Sequence, residues 1–211
     1  MVHVVFMHHG LWGNHSHLDY IAKKLEHKYK EDLIIGLIDK NSGLHTYDGI
    51  DVLGDESVRW VENFLFDKPD VTEVSFIGYS LGGLVMRYTV GKLYHKKFFD
   101  KYTPVNFITF ASPHLGASKL PNKIFNHLFN FFSGNIALRT GKQIALLDHF
   151  LNGLPLLVIM SNPNYCFFQA LELFKRRALF TNVLNDRMIT YTSGSISVSI
   201  ENVATNSFNV E

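Results

Sequence analysis

The chain has 211 residues, of which 46% are hydrophobic and 18% charged, with twenty Lys+Arg against nineteen Asp+Glu. This fits one domain with a sizeable core and excludes a disordered chain. The near-zero balance leaves no basic excess for a phosphate backbone, which excludes nucleic acid as a partner, and a lone cysteine, Cys166, excludes a disulfide framework or a cysteine-rich zinc site.

The lone thiol points to a reducing, intracellular compartment. The N-terminus lacks the basic start, long apolar stretch and cleavage site of a signal peptide. The longest apolar run, Leu156 to Met160, falls far short of the ~20 residues that span a bilayer. No transmembrane segment is expected, while peripheral contact with a lipid surface stays open.

In chain order, residues 2–7 (VHVVFM) read as a short buried strand ending at His8-His9-Gly10. Residues 16–30 read as an amphipathic helix, with Ser16 as cap, Asp19 as its box partner, and Leu18, Ile21, Ala22 and Leu25 as the apolar stripe. Residues 33–38 give a second strand, and 55–66 a helix with Val58, Val61 and Leu65 facing inward. Residues 73–78 give a third strand, 81–95 a helix, 105–110 a fourth strand and 178–184 a fifth, just before Asn185-Asp186. This alternation predicts an α/β fold, a mostly parallel sheet with helices on both faces.

Between residues 115 and 177 the alternation stops, broken by Gly134, Gly141, Gly153, Pro155 and Pro163, and the stretch reads as a lid-like insertion over the site. Its Phe-rich part, 124–132, reads either as a core helix or as a lid that meets lipid. Lys175-Arg176-Arg177 reads as a solvated face, Asp48-Gly49 as a turn, Asp51 and Asp55 as surface residues, and Cys166 as buried and inert.

In parallel sheets of this kind ligands bind beyond the carboxyl ends of the strands. His9-Gly10, Ser80, Ser112-Pro113-His114 and Asp186 all fall at or just past predicted strand ends. Gly78-Tyr79-Ser80-Leu81-Gly82 is a G-x-S-x-G sequence between a strand and a helix. There a sharp turn pushes the serine hydroxyl out of the sheet, and the helix start offers free amides to developing negative charge. Ser80 is therefore the candidate nucleophile. The loop His9-Gly10-Leu11-Trp12-Gly13 reads as an oxyanion loop, with the amides of Leu11 and Leu81 as donors, or as an ordinary glycine turn. Asp186 stands where the order Ser, Asp, His expects the acid; a turn aspartate is the other reading of the residues. No metal or cofactor is called for.

The segments HHGLWGNHSHLDYIA (8–22), TYDGIDVLG (46–54), GYSLGGLVMRY (78–88), FASPHLGAS (110–118) and ALELFKRRALFTNVLNDRMITYTSGSI (170–196) resemble the fungal serine esterase, lipase-like family that includes the yeast lipid-droplet phospholipase. The resemblance implies an α/β-hydrolase fold and hydrolysis of acyl esters of glycerolipids or phospholipids. It implies Ser80 as nucleophile, Asp186 as acid, Leu11 and Leu81 as oxyanion donors, and His9, Gly10 and His114 as site lining. A lipid or phospholipid substrate, and a cytoplasmic or lipid-droplet location, follow from the resemblance only.

All eleven histidines lie at or before His149, whereas in the family the base histidine follows the acid, after a further strand. The expected domain is thus a single α/β-hydrolase unit over 1–211, truncated before the last strand and the base-carrying helix. Three readings compete: a fragment of a longer enzyme, a catalytically inactive hydrolase-like module that binds a lipid surface or a protein, or an enzyme whose base is His9 or His114. A sheet edge left open by truncation is expected to make the chain alone poorly soluble.

Overall fold

The computed structural model describes residues 2–116, 138–184, 186, 189 and 191–196. Its frame is a five-stranded sheet of β1 (Val2–His8), β2 (Leu33–Leu37), β3 (Val71–Tyr79), β4 (Thr103–Phe110) and β5 (Arg176–Phe180). The spatial order is β2-β1-β3-β4-β5, and every pairing is parallel. Successive strand residues face opposite sides, so β1 sends Val4 and Phe6 to one face and Val5 and Met7 to the other. Both faces of β1 are buried, which is why VHVVFM is apolar almost without interruption.

One face packs against α2 (Ile50–Leu65) and α3 (Leu81–His95), with Val58, Val61, Met86 and Val90 meeting Phe6, Val74 and Phe76. The other is covered by α1 (Asp19–Tyr29), whose Ala22 sits on Val5, Met7 and Ile77. Three short helices follow the central sheet strands: α4 (Arg139–Ile144), α5 (Leu156–Ser161) and α6 (Cys166–Glu172). A last one, α7, spans Tyr191–Ser195. Among the described residues no helix is long and apolar enough to cross a membrane.

Several expectations shift. The helix expected over 16–30 begins as a 3-10 turn, His15–Leu18, capped by Asn14, whose side-chain oxygen accepts from the Ser16 amide at 2.9 Å. Ser16 is thus the capped residue and not the cap. Helix α2 starts at Ile50, five residues before the expected start, and buries Asp51. Strand β5 starts at Arg176 and ends at Phe180, earlier than the 178–184 expected. Cys166 is half-buried, and burial pushes its thiol pKa up.

The described part of the expected insertion is largely core. Ile144, Leu156, Ile159 and Met160 join Leu84, Val85 and Tyr88 in a second apolar cluster, while Ala170 and Phe174 enter the main core. A side chain at Gly91 would come 2.3 Å from the Phe167 ring, so the glycine lets α6 lie directly on α3. The Phe-rich stretch 124–132 lies outside the described residues.

Candidate active site

Ser80 is the single residue between β3 and α3, with φ 53° and ψ −123°. That left-handed backbone is costly for a residue with a side chain, about 1–3 kcal/mol, and persists only where its surroundings over-determine it. Here they do. The Ser80 amide donates to the Phe110 carbonyl at 2.8 Å, and the Gly83 amide donates back to the Ser80 carbonyl at 3.1 Å. A Cβ on Gly78 would lie 2.4 Å from Gly83 Cα, one on Gly83 2.0 Å from Ser112 Oγ, and one on Gly82 2.2 Å from the His8 carbonyl oxygen. The glycines of the G-x-S-x-G-G run therefore seat the start of α3 on the ends of β1 and β4. The first amides of a helix lack intrahelical acceptors, and Leu81 opens α3 directly after Ser80.

The loop after β1 closes on the same serine. A Cβ on Gly10 would sit 2.9 Å from Ser80 Cβ and 3.4 Å from its Oγ; only the absent side chain lets the two main chains meet. Gly10 to Gly13 form a tight turn, the Gly13 amide donating to the Gly10 carbonyl at 3.1 Å, with Trp12 at φ 57°. The Trp12 amide donates to Thr46 Oγ1 at 3.1 Å. That amide is thus engaged with Thr46.

The histidines around this point are neutral for a common reason. The His8 ring is fully buried, donates from Nδ1 to the His9 carbonyl at 2.7 Å and accepts at Nε2 from Asn41 Nδ2 at 2.8 Å. Burial, then the neighbouring His9, pushes its pKa down to about 3. His9 donates from Nδ1 to the Gly10 carbonyl at 2.9 Å, while its buried Nε2 meets no hydrogen-bond partner; burial lowers its pKa as well. His114 Nε2 donates to Thr109 Oγ1 at 2.8 Å and its Nδ1 faces Arg87 Nη1 at 3.4 Å. Burial and the Arg87 charge push its pKa down to about 3. Its ring thus turns along β4 and α3, with both nitrogens engaged. Among the described residues no histidine is hydrogen-bonded to Ser80 Oγ.

Asp186 follows β5 in a local turn. Its Oδ1 accepts from the Ile189 amide at 2.9 Å and its Oδ2 from Asn182 Nδ2 at 2.8 Å. The His114 loop is tied to the same region, since its amide donates to the Ser193 carbonyl at 3.1 Å and Ser193 Oγ donates to Gly116 O at 2.8 Å. Beside it an apolar cavity of about 370 Å³ opens between α3, α6 and β5, lined by Thr109, His114, Leu115, Phe168 and Leu179, with Arg87 at its polar end. Among the described residues no group of three or more His, Cys, Asp or Glu side chains could hold a metal.

Around the serine turn lie residues that no sequence motif marks, Thr46 in the stretch TYDGIDVLG among them. Asp51, read as a surface residue, is 7% exposed and receives Gln143 Nε2 at 2.7 Å together with Arg139 Nη2. The amides of Gly49 and Ile50, which open α2, donate to Thr140 Oγ1 at 3.0 Å and Gln143 Oε1 at 2.6 Å. These partners are some ninety residues away in the chain, so no local signal marks them. The charged run read as a solvated face is exposed, with Arg176 and Arg177 opening β5, and Arg177 Nη1 also donates to the carbonyls that end α6, at 3.0 Å for Leu171 and 2.9 Å for Phe174.

Comparison with known proteins adds the following. The family model described as "Putative serine esterase (DUF676)" matches residues 1–199. The Schizosaccharomyces pombe protein named "Putative lipase C4A8.10" is 32% identical over 93% of this chain and 26% of its own length. Two Saccharomyces cerevisiae proteins, "Putative lipase ROG1" and "Putative lipase YDL109C", are 30% and 34% identical over 92% of this chain, and over 28% and 30% of their own lengths. The chain thus spans between a quarter and a third of these relatives. Among solved structures, the mature Bacillus licheniformis lipase BlEst2 superposes with TM-score 0.50 at 17% identity over 83% of this chain and 64% of its own. The lin2722 product of Listeria innocua superposes with TM-score 0.50 at 13% identity over 97% and 92%. These likenesses fix the fold as that of an α/β-hydrolase.

Proposed function

This chain belongs to the DUF676 serine esterase family, and on that premise we propose that it is the nucleophile-bearing α/β-hydrolase core of an enzyme that cleaves lipid acyl esters through an acyl-enzyme. The observation that carries the reading is Ser80 held at φ 53° between β3 and α3 with the Gly10 main chain packed against it. Attack by Ser80 Oγ on an ester carbonyl would place the developing oxyanion between the amides of Leu11 and Leu81; losing one such donor costs about 2.7–4 kcal/mol of transition-state stabilisation. Asp186 is the proposed acid, orienting a histidine and stabilising its charged form. His9, Gly10 and His114 line the site.

The base is proposed to come from outside these 211 residues, because among the described residues no histidine is hydrogen-bonded to Ser80 Oγ, and His8 and His114 have both ring nitrogens engaged elsewhere. Residues 1–211 would then form one domain, with 115–177 contributing both core helices and a lid-like segment. Glycerolipids or phospholipids at a membrane or lipid-droplet surface are the proposed substrates, supported by the lipase-named relatives; the apolar cavity beside His114 has no Ser80 in its lining. The test is fatty-acid release by the intact protein from triacylglycerol emulsions and from phosphatidylcholine vesicles, against Ser80→Ala. Loss of a triad serine typically costs ~10⁶ in turnover, so S80A should release nothing above background. Equal release by S80A would overturn the assignment.

The second reading is a catalytically inactive hydrolase-like module that docks on lipid or protein. It is favoured by one observation, the absence of any histidine hydrogen-bonded to Ser80 Oγ among the described residues. It requires that the intact protein bind lipid vesicles without hydrolysing them.

A further inference from the structure

The oxyanion loop is held from behind by residues that no reading of the active site has included. Trp12 sits in the left-handed region at φ 57°, a conformation that glycine adopts freely and tryptophan does not. Two bonds keep it there. Its amide donates to Thr46 Oγ1 at 3.1 Å, and its indole Nε1 donates to the Tyr47 hydroxyl. Both partners belong to the 3-10 turn Gly43–Tyr47, and the loop is pinned once more where the Gly43 amide donates to the Gly13 carbonyl at 3.0 Å.

Thr46 is fully buried, and its position is set twice over. Its hydroxyl donates to the Gly43 carbonyl at 2.6 Å, which leaves the oxygen lone pair facing the Trp12 amide. Its own carbonyl accepts from Thr140 Oγ1 at 2.8 Å, and Thr140 in turn accepts from the Gly49 amide at 3.0 Å. The chain of bonds therefore runs from α4, through Thr140 and Thr46, to the peptide between Leu11 and Trp12. A flip of that peptide would break the Thr46 bond and free the turn immediately after Leu11, whose amide lies in the adjoining peptide.

We propose that Thr46, backed by Thr140, is the positioning residue that keeps the Leu11 amide aimed at the oxyanion of Ser80. This rests on the esterase reading above, in which Leu11 is a donor. Thr46 touches no substrate; it acts by fixing the turn whose amide does. Removing its hydroxyl without changing shape should therefore lower the chemical rate and leave ester binding alone.

The experiment compares Thr46→Val, Thr46→Ser and Thr140→Val in the intact protein. It follows the rate of Ser80 phosphonylation by a fluorophosphonate probe, and kcat and KM for a short-chain p-nitrophenyl ester. T46V is expected to slow labelling and kcat by at least ~10-fold, up to the ~10³-fold lost with an oxyanion donor, at unchanged KM. T46S, which keeps the hydroxyl, is expected to return to within a few-fold of the parent. T140V is expected to show a smaller loss of the same kind. Should T46V fail to fold, T140V decides alone, and labelling at the parent rate would overturn the proposal. Parent-rate labelling by T46V, or a loss that T46S does not restore, would overturn it too. A parent protein that does not label at Ser80 would sink the esterase reading separately. Hydrogen exchange at the Trp12 amide, expected at least ~10-fold faster in T46V or T140V, then decides whether the clamp exists, and unchanged exchange would contradict it.

Discussion

The centre of the sheet and its β5 side differ in what holds them. At the centre, on β1 and β3, Val4, Phe6, Val74 and Phe76 are fully buried, and the turn bearing Ser80 is fixed by close main-chain approaches at Gly78, Gly82 and Gly10. At the β5 end all five strand residues are exposed, Leu179 at 37% and Phe180 at 55%. There the fixing contacts are side-chain bonds within short loops, such as those of Asp186 to Asn182 and Ile189. The proposed nucleophile and oxyanion loop thus belong to the core, which cannot shift without a steric clash. The proposed acid follows β5, the outer strand of the described sheet, and its bond to Asn182 is exposed to water.

Substitutions can break or sharpen that contrast. The largest stability effect is expected from Phe76→Ala, about 3–5 kcal/mol for an aromatic deleted from a packed core, read from urea unfolding. A loss under 1 kcal/mol would deny that the β1–β3 centre is the rigid part. Gly82→Ala should follow at about 1–3 kcal/mol of overpacking, because its Cβ would lie 2.2 Å from the His8 carbonyl oxygen; it should also abolish fluorophosphonate labelling even in the fraction that remains folded.

Acid should act on both parts at once. His8 in the core and His114 toward the edge have folded pKa values of about 3 against an ordinary 6.5. Below pH 6.5 the unfolded imidazoles take up protons that the folded ones refuse, so the unfolded state binds more protons. Stability is then full above pH 6.5 and falls as pH drops toward 3, by up to about 1.4 kcal/mol per pH unit for each histidine. His114→Gln should flatten the fall in Tm between pH 6.5 and 4.5 without removing it, since His8 remains; an unchanged slope would contradict the buried, neutral state of His114. Phe180→Ser, on the exposed side, should cost about 1 kcal/mol, chiefly through its stack on the Phe110 ring. A loss comparable to that of F76A would erase the contrast.

The same contrast explains what could be read from the amino-acid sequence. Strands β1 and β3, helix α3 and the serine turn were legible because burial on both faces forces apolar runs, and a tight turn forces glycines at fixed offsets. The early start of α2 was not, because its caps are Thr140 and Gln143, some ninety residues downstream. For the same reason Asp51 read as a surface residue when it is a buried acceptor for Arg139 and Gln143. The start of β5 was missed because Arg176 and Arg177 do not resemble a strand; an edge strand tolerates charge that an interior one would not. Thr46 carried no signal at all, since one threonine hydroxyl facing one amide leaves no pattern in the sequence.

The central claim, that Ser80 is a nucleophile set by the centre of the sheet, is most directly tested by peptide mapping of the intact, folded protein after fluorophosphonate treatment. A single adduct on the peptide holding Ser80, absent in Ser80→Ala, is the expected result. A folded protein that takes no adduct, or takes it on another serine that survives S80A, would contradict the claim.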